Sequence, residues 1–206
     1  MDAGEFKYGS QFCRCQIDGI LNDCIDVYKK VLGSGVRLNN NENEIRDEFA
    51  KYLQDDNYKY AHTSVVKNFH VDTEVREGDH GRIDIRFLRI NPYKSQKMYY
   101  GVECKRLDGG STLNNEYVKN GIRRFISPDK YTTPTGFNAM IGFMVKHFNI
   151  TNVCDKINKN LSAKECLSVI YSNDIERYWK FESKHQSSEK ITLLHLWLDC
   201  SNVVIG

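Results

Sequence analysis

The sequence predicts an α/β domain with a mixed central sheet of four to five strands flanked by helices. Three observations carry that expectation. Apolar residues recur at helical spacing up to about residue 53, strand-like runs follow from residue 69, and helical spacing then returns before further strand patterns. A chain of 206 residues suits one medium domain, burying roughly 70% of its unfolded surface without needing disulfides.

Taken in order, Ile17, Ile20, Leu21, Cys24, Ile25, Tyr28, Val31 and Leu32 define a first helix over 17–32, stopped by Gly33-Ser34-Gly35. Asn41 is a good N-cap for a second helix running to about Leu53, with Ile45, Phe49, Tyr52 and Leu53 on one face. Strand patterns occupy 69–76, 81–90 and 97–106, and Thr112 to Ile126 is again helical. Ala139 to Val145 is a short apolar strand, and 151–170 reads as mixed and mainly helical. A weaker strand at 178–184 precedes a last one from Ile191 to Leu198. We read 1–206 as a single domain: a helical extension over 1–38, a core over 39–147, and a helix and strand addition over 148–206 that completes it.

Composition excludes several classes. With 40% hydrophobic and 27% charged residues the chain is neither collagenous nor disordered. It holds no apolar run near the about 20 residues of a membrane helix, and MDAGEFKYGSQ lacks the apolar stretch of a secretory signal. Seven unevenly spaced cysteines read as reduced thiols, which implies a cytoplasmic location. There is no GxxxxGK[ST] loop, no GxSxG elbow and no metal-type histidine spacing. Net charge is only +2, but 39–57 holds six acids against two bases, whereas 97–131 holds seven bases against four acids. Such a pair of segments suits a site that holds a metal beside a polyanion. Two solvated faces of opposite sign suit the same charges.

The informative stretch is residues 81–107, GRIDIRFLRINPYKSQKMYYGVECKRL. Pro92-Tyr93-Lys94-Ser95 marks a turn between two strand runs. A hairpin symmetric about Tyr93 and Lys94 pairs Asp84 with Glu103, Ile83 with Cys104, and Ile85 with Val102. Alternation then puts Asp84, Glu103 and Lys105 on one face and the apolar residues on the other. Two carboxylates about 5 Å apart repel unless a cation lies between them. A hard ion such as Mg²⁺, for which Mn²⁺ substitutes, suits oxygen donors, with the Cys104 main-chain carbonyl as a third ligand. Lys105 would orient or deprotonate the attacking water, or offset charge on the phosphate. Metal-assisted phosphodiester hydrolysis is the chemistry such a set performs.

Asp84, followed after eighteen residues by Glu103-Cys104-Lys105, resembles the signature of the PD-(D/E)xK nuclease superfamily, with its restriction-endonuclease-like fold. The similarity covers about residues 40–146. The proline common before the family's Asp is absent, Ile83 standing there. The resemblance implies an Asp on one strand, the (D/E)xK on the next, a helix that follows, and a preceding helix that often supplies one more Glu. It favours Glu44 for that role, with Glu48 the alternative; a helix-dipole role explains Glu44 equally well. It also implies that polar residues of the 112–126 helix contact nucleic acid, which singles out Arg124 for phosphate. Arg82, on the same face as Asp84, suits the same work, whereas Arg106 points away.

The expectation is therefore a Mg²⁺-dependent nuclease, a DNA rather than RNA endonuclease, with a homodimer or a helicase or ATPase as partner. A bacterial restriction or anti-phage role is implied by the resemblance alone. The alternative is a catalytically silent module of the same fold that binds nucleic acid or a partner.

Overall fold

Asn41 does cap a helix: its side-chain oxygen accepts the amides of Asn43 and Glu44, which opens α2 (Glu42–Gln54). The computed structural model of the protein describes residues 9–76, 81–90, 98–127, 131, 134–186 and 190–206. The turn around Pro92–Ser95 and His80 lie outside the described residues. Before α2 come α1 (Ser10–Gly33), longer than its apolar spacing required, and β1 (Leu38–Asn39). After it come α3 (Asp56–His62), β2 (Phe69–Arg76), β3 (Arg82–Arg89) and β4 (Tyr99–Leu107). The helical segment that follows is α4 (Ser111–Tyr117), one π-helical turn (Val118–Ile122) and α5 (Arg123–Ile126). The remainder is β5 (Phe137–Met144), α6 (Ile150–Asn158), β6 (Ser168–Asn173), β7 (Tyr178–Gln186), β8 (Lys190–Asp199) and β9 (Val204–Ile205).

Among the described residues the central sheet is mixed and has seven strands, in the order β2-β3-β4-β5-β8-β7-β6, rather than four to five. Two things account for the difference. β6 begins within the stretch read as mainly helical and runs three residues past it, and every residue but Asn173 is exposed, so its sequence carries no alternation of buried and open positions. The strand read in the 148–206 addition, β8, lies within the sheet: it pairs in parallel with β5 over eight positions, from Phe137↔Thr192 to Met144↔Asp199. The last strand is β9, whose parallel pairing with β1 ties the chain's end to the approach of α2.

Two apolar layers sandwich the sheet. α1 and α2 place Ile17, Leu21, Tyr28, Ile45 and Phe49 against Ile85, Val102, Ile141 and Leu196. On the other side Tyr117, Ile122, Phe125 and Ile157 pack with Met140, Met144 and Trp197. The segment before β2 is held by a buried carboxylate, Asp23, which accepts the amides of Ser64, Val65 and Val66 at 2.9, 2.8 and 2.7 Å.

A second polar system joins α4 to β7 and β8. Trp197 Nε1 donates to Tyr117 Oη (3.1 Å), which lies 2.9 Å from His195 Nδ1. His195 Nε2 is 2.8 Å from Ser183 Oγ, and Ser183 Oγ is 2.6 Å from His185 Nε2. His185 Nδ1 ends the series 3.2 Å from Glu165 Oε1. Burial holds His195 down to about 3, so its ring is neutral.

All seven cysteines are free. Among the described residues no helix is long and apolar enough to cross a membrane.

Candidate active site

The β3–β4 hairpin has the register its sequence symmetry requires: Ile85 pairs with Val102, Arg86 with Gly101, Phe87 with Tyr100 and Leu88 with Tyr99. The ladder stops at Ile85 and Val102. Beyond it the Asp84 carboxylate takes the place of a main-chain partner, with Oδ2 accepting the Cys104 amide at 2.8 Å. The expected alternation fails there. Ile83 packs under α4 and α5 with Tyr99 and Phe125, not opposite Cys104, which lies in the α1–α2 layer with Ile85. Asp84 accordingly reaches towards α2, where Arg46 Nη1 is 3.3 Å from its Oδ1. Nor does β4 have an open polar face, because Glu103 is fully buried and Lys105 nearly so. The three residues meet at the mouth of the gap where the strands part.

Strain marks the same place on β2. Glu74 has φ +52°, a left-handed conformation that costs a side-chain-bearing residue about 1–3 kcal/mol. Its carboxylate reaches Arg46 Nη2 at 3.2 Å and Arg82 Nη1 at 2.9 Å. These groups line a cleft of about 610 Å³ with Glu42, Asn43, Arg76, Gly81, Asp84, Lys105 and Arg124. Five cations and three carboxylates therefore face one space.

Lys105 is the centre of the arrangement. Its Nζ lies 2.8 Å from Glu42 Oε1, 2.7 Å from the Cys104 carbonyl, 3.0 Å from Glu103 Oε1 and 3.9 Å from Asp84 Oδ2. Burial opposes its charge, but Glu103, Glu42 and Asp84 outweigh burial and hold its pKa above the usual lysine value. Glu103 is pushed up to about 7, first by burial and then by Asp84, with Lys105 and Arg124 opposing. Arg124 Nη1 binds Glu103 Oε1 at 2.7 Å and Tyr131 Oη at 2.9 Å. Tyr131 Oη also rests against the Arg82 carbonyl and lies 3.1 Å from Glu103 Oε2.

Asp84, Glu103, Lys105, the Cys104 carbonyl, Arg124 and Arg82 are thus brought together. Glu44 is not. Its carboxylate receives the Asn39 main-chain and side-chain N–H groups, both at 2.9 Å, and serves the turn before α2. Glu48 faces Lys51 instead. The helix acid that reaches the site is Glu42, whose Oε2 also accepts the Arg106 amide at 3.1 Å. Glu42 was missed because an acid in a first helical turn is explained by the dipole alone. Arg46 was missed because a single base within an acidic helix looks like a surface partner, yet it is 3% exposed. Arg106 points away, as expected, with its guanidinium on Asn40.

The donors gathered here are carboxylate and carbonyl oxygens, the set preferred by a hard divalent ion. Among the described residues no three acidic, His or Cys side chains form a ready metal cluster. The oxygens that suit one are collected on the Lys105 ammonium. Comparisons with protein-family models, curated proteins and solved structures gave no match.

Proposed function

We propose that this chain is a divalent-metal-dependent nuclease of the restriction-endonuclease-like type, an endonuclease acting on DNA. The observation that carries the reading is the convergence of Asp84, Glu103, Glu42 and the Cys104 carbonyl on one point in a cleft rich in guanidinium groups. The order of elements supports it. A helix precedes an antiparallel run of β2, β3 and β4, the acidic strand residues fall on β3 and β4, and a helix leads to the parallel β5.

Mg²⁺ or Mn²⁺, when bound by Asp84, Glu103 and the Cys104 carbonyl, would polarise the phosphodiester and supply an activated water. Glu42 lies within reach as a further acidic group. Arg124 and Arg82 stand where backbone phosphates would enter and compensate their charge. Lys105, held as an ammonium, serves as a hydrogen-bond donor to the attacking water or the phosphoryl oxygen, not as a base. A homodimer or an ATPase partner would supply the surface for sequence reading.

One observation favours a second reading, a silent binding module: Lys105 already neutralises the carboxylates without any metal. Incubation with supercoiled and linear DNA separates the two. Metal-dependent cutting, lost with EDTA and in Lys105→Ala, is the result expected of the nuclease. Retained DNA binding with no cutting under either metal would establish the module instead.

A further inference from the structure

Lys105 Nζ donates hydrogen bonds to Glu42 Oε1 and to the Cys104 carbonyl, and it lies 3.0 Å from Glu103 Oε1 as an ion pair, so its ammonium is held inside the protein. The three carboxylates of the cluster, Glu42, Asp84 and Glu103, face three cations, Arg46, Arg124 and Lys105. Lys105 lies within 3.9 Å of all three carboxylates. The Lys105–Glu103 pair is also short and shielded, Lys105 being 7% exposed and Glu103 0%.

We propose that Lys105 is the resident cation of the metal-free protein and that a divalent ion enters only by displacing its ammonium. This rests on the nuclease reading and adds a regulatory step to it. The oxygens that Nζ now engages are those a metal requires, so ion and ammonium compete for one position. Displacement frees the ammonium's N–H groups from these oxygens in the same event. Lys105 becomes available to water and phosphate only once the metal is in place, which couples ion binding to catalytic competence. No covalent bond of the protein is made or broken in the exchange; hydrogen bonds to the ammonium give way to metal–oxygen contacts, and the lysine stays protonated throughout.

The alternative is an ordinary catalytic lysine that helps to hold the site together, whose loss weakens metal binding or leaves it unchanged. The two differ in sign. Mn²⁺ affinity is measured by calorimetry on the full chain for wild type, Lys105→Met and Lys105→Gln, with Asp84→Asn as the site control. Lys105→Gln keeps the stem and a hydrogen-bonding end, so it guards against a folding failure of Lys105→Met. The expected result is Mn²⁺ binding at least about tenfold tighter in the lysine variants than in wild type, because a unit charge a few ångströms away is removed. Their unfolding temperature should also be lower in EDTA and recover more on adding Mn²⁺ than that of wild type. Equal or weaker affinity in both variants would overturn the displacement role. If wild type still cuts DNA with metal in that case, the nuclease reading stands. If no protein binds Mn²⁺ and none cuts, the nuclease reading and this inference both fail.

Discussion

The Glu42 carboxylate spans two consecutive residues of β4, with Oε1 2.8 Å from Lys105 Nζ and Oε2 3.1 Å from the Arg106 amide nitrogen. It links the N-terminus of α2 to the strand that carries Glu103. It is also where the acidic segment of the sequence meets the basic one. On this basis Glu42→Gln should lower metal-dependent cleavage by about tenfold or more, since it removes an acidic group within reach of the divalent ion. Glu44→Gln, whose contacts lie on Asn39, should leave the rate within about twofold. Single-turnover cleavage of a labelled duplex by both variants measures the contrast. Equal losses would show that the Glu42 bridge has no special part in the site.

Glu103 makes stability depend on pH in a stated direction. Its folded pKa of about 7 exceeds the ordinary 4.5, so the folded chain holds a proton that the unfolded chain has lost between those values. Stability therefore falls as pH rises through this window, by roughly 3 kcal/mol from this group. Urea unfolding in EDTA at pH 5, 6, 7 and 8 should show the fall in wild type and a flatter profile in Glu103→Gln. A wild-type curve no steeper than the variant's would refute the assignment.

Gly142 and Gly121 are both crowded, but by neighbours of different rigidity. A Cβ on Gly142 would come 2.7 Å from both Leu107 Cδ1 and the Trp197 ring, whereas one on Gly121 would meet the terminal methyl of Met140 at 2.4 Å. The Met140 end can swing aside, and the helical turn regains about 1 kcal/mol of propensity from alanine. The Trp197 ring is pinned by Tyr117. Gly142→Ala should cost about 1–3 kcal/mol and Gly121→Ala less, read from urea midpoints. The reverse ranking would show that Met140 is the more rigid neighbour.

Arg124 presents the cleft with a charge suited to a phosphate. In an Asp84→Asn background, where binding proceeds without cutting, Arg124→Gln should weaken DNA affinity alike for unrelated sequences. It should also reduce the slope of log K against log salt by about 1. Fluorescence anisotropy across a salt series gives both quantities, and an unchanged slope would place Arg124 outside the phosphate path.

How much of this was legible depended on whether a residue's pattern was local. The β3–β4 register followed from the near-symmetry of the hairpin, and Asn41 announced α2 by its type and place. Ile83 was assigned to the wrong layer because strand alternation holds only while the ladder does, and Asp84 ends it by capping Cys104. Nothing local separates Glu42 from Glu44: both are acids in one helical turn, and the choice is made by β4, over sixty residues later. β6 was lost because an edge strand with both faces open needs no periodicity.

The series of contacts from Trp197 to Glu165 has a polarity that both ends dictate. An indole can only donate, and a carboxylate can only accept. Tyr117 must then give its proton to His195 Nδ1, and His185 must carry its proton on Nδ1 to reach Glu165. Ser183 is left to accept from His195 Nε2 and donate to His185 Nε2. The two imidazoles are thereby locked in opposite tautomers, one ring's donor nitrogen matching the other's acceptor. Charging either ring would set two donors face to face across Ser183 or Tyr117. One half of the sheet thus has its proton pattern set by its neighbours, whereas Glu103, in the other half, gives its proton up as the pH rises through about 7.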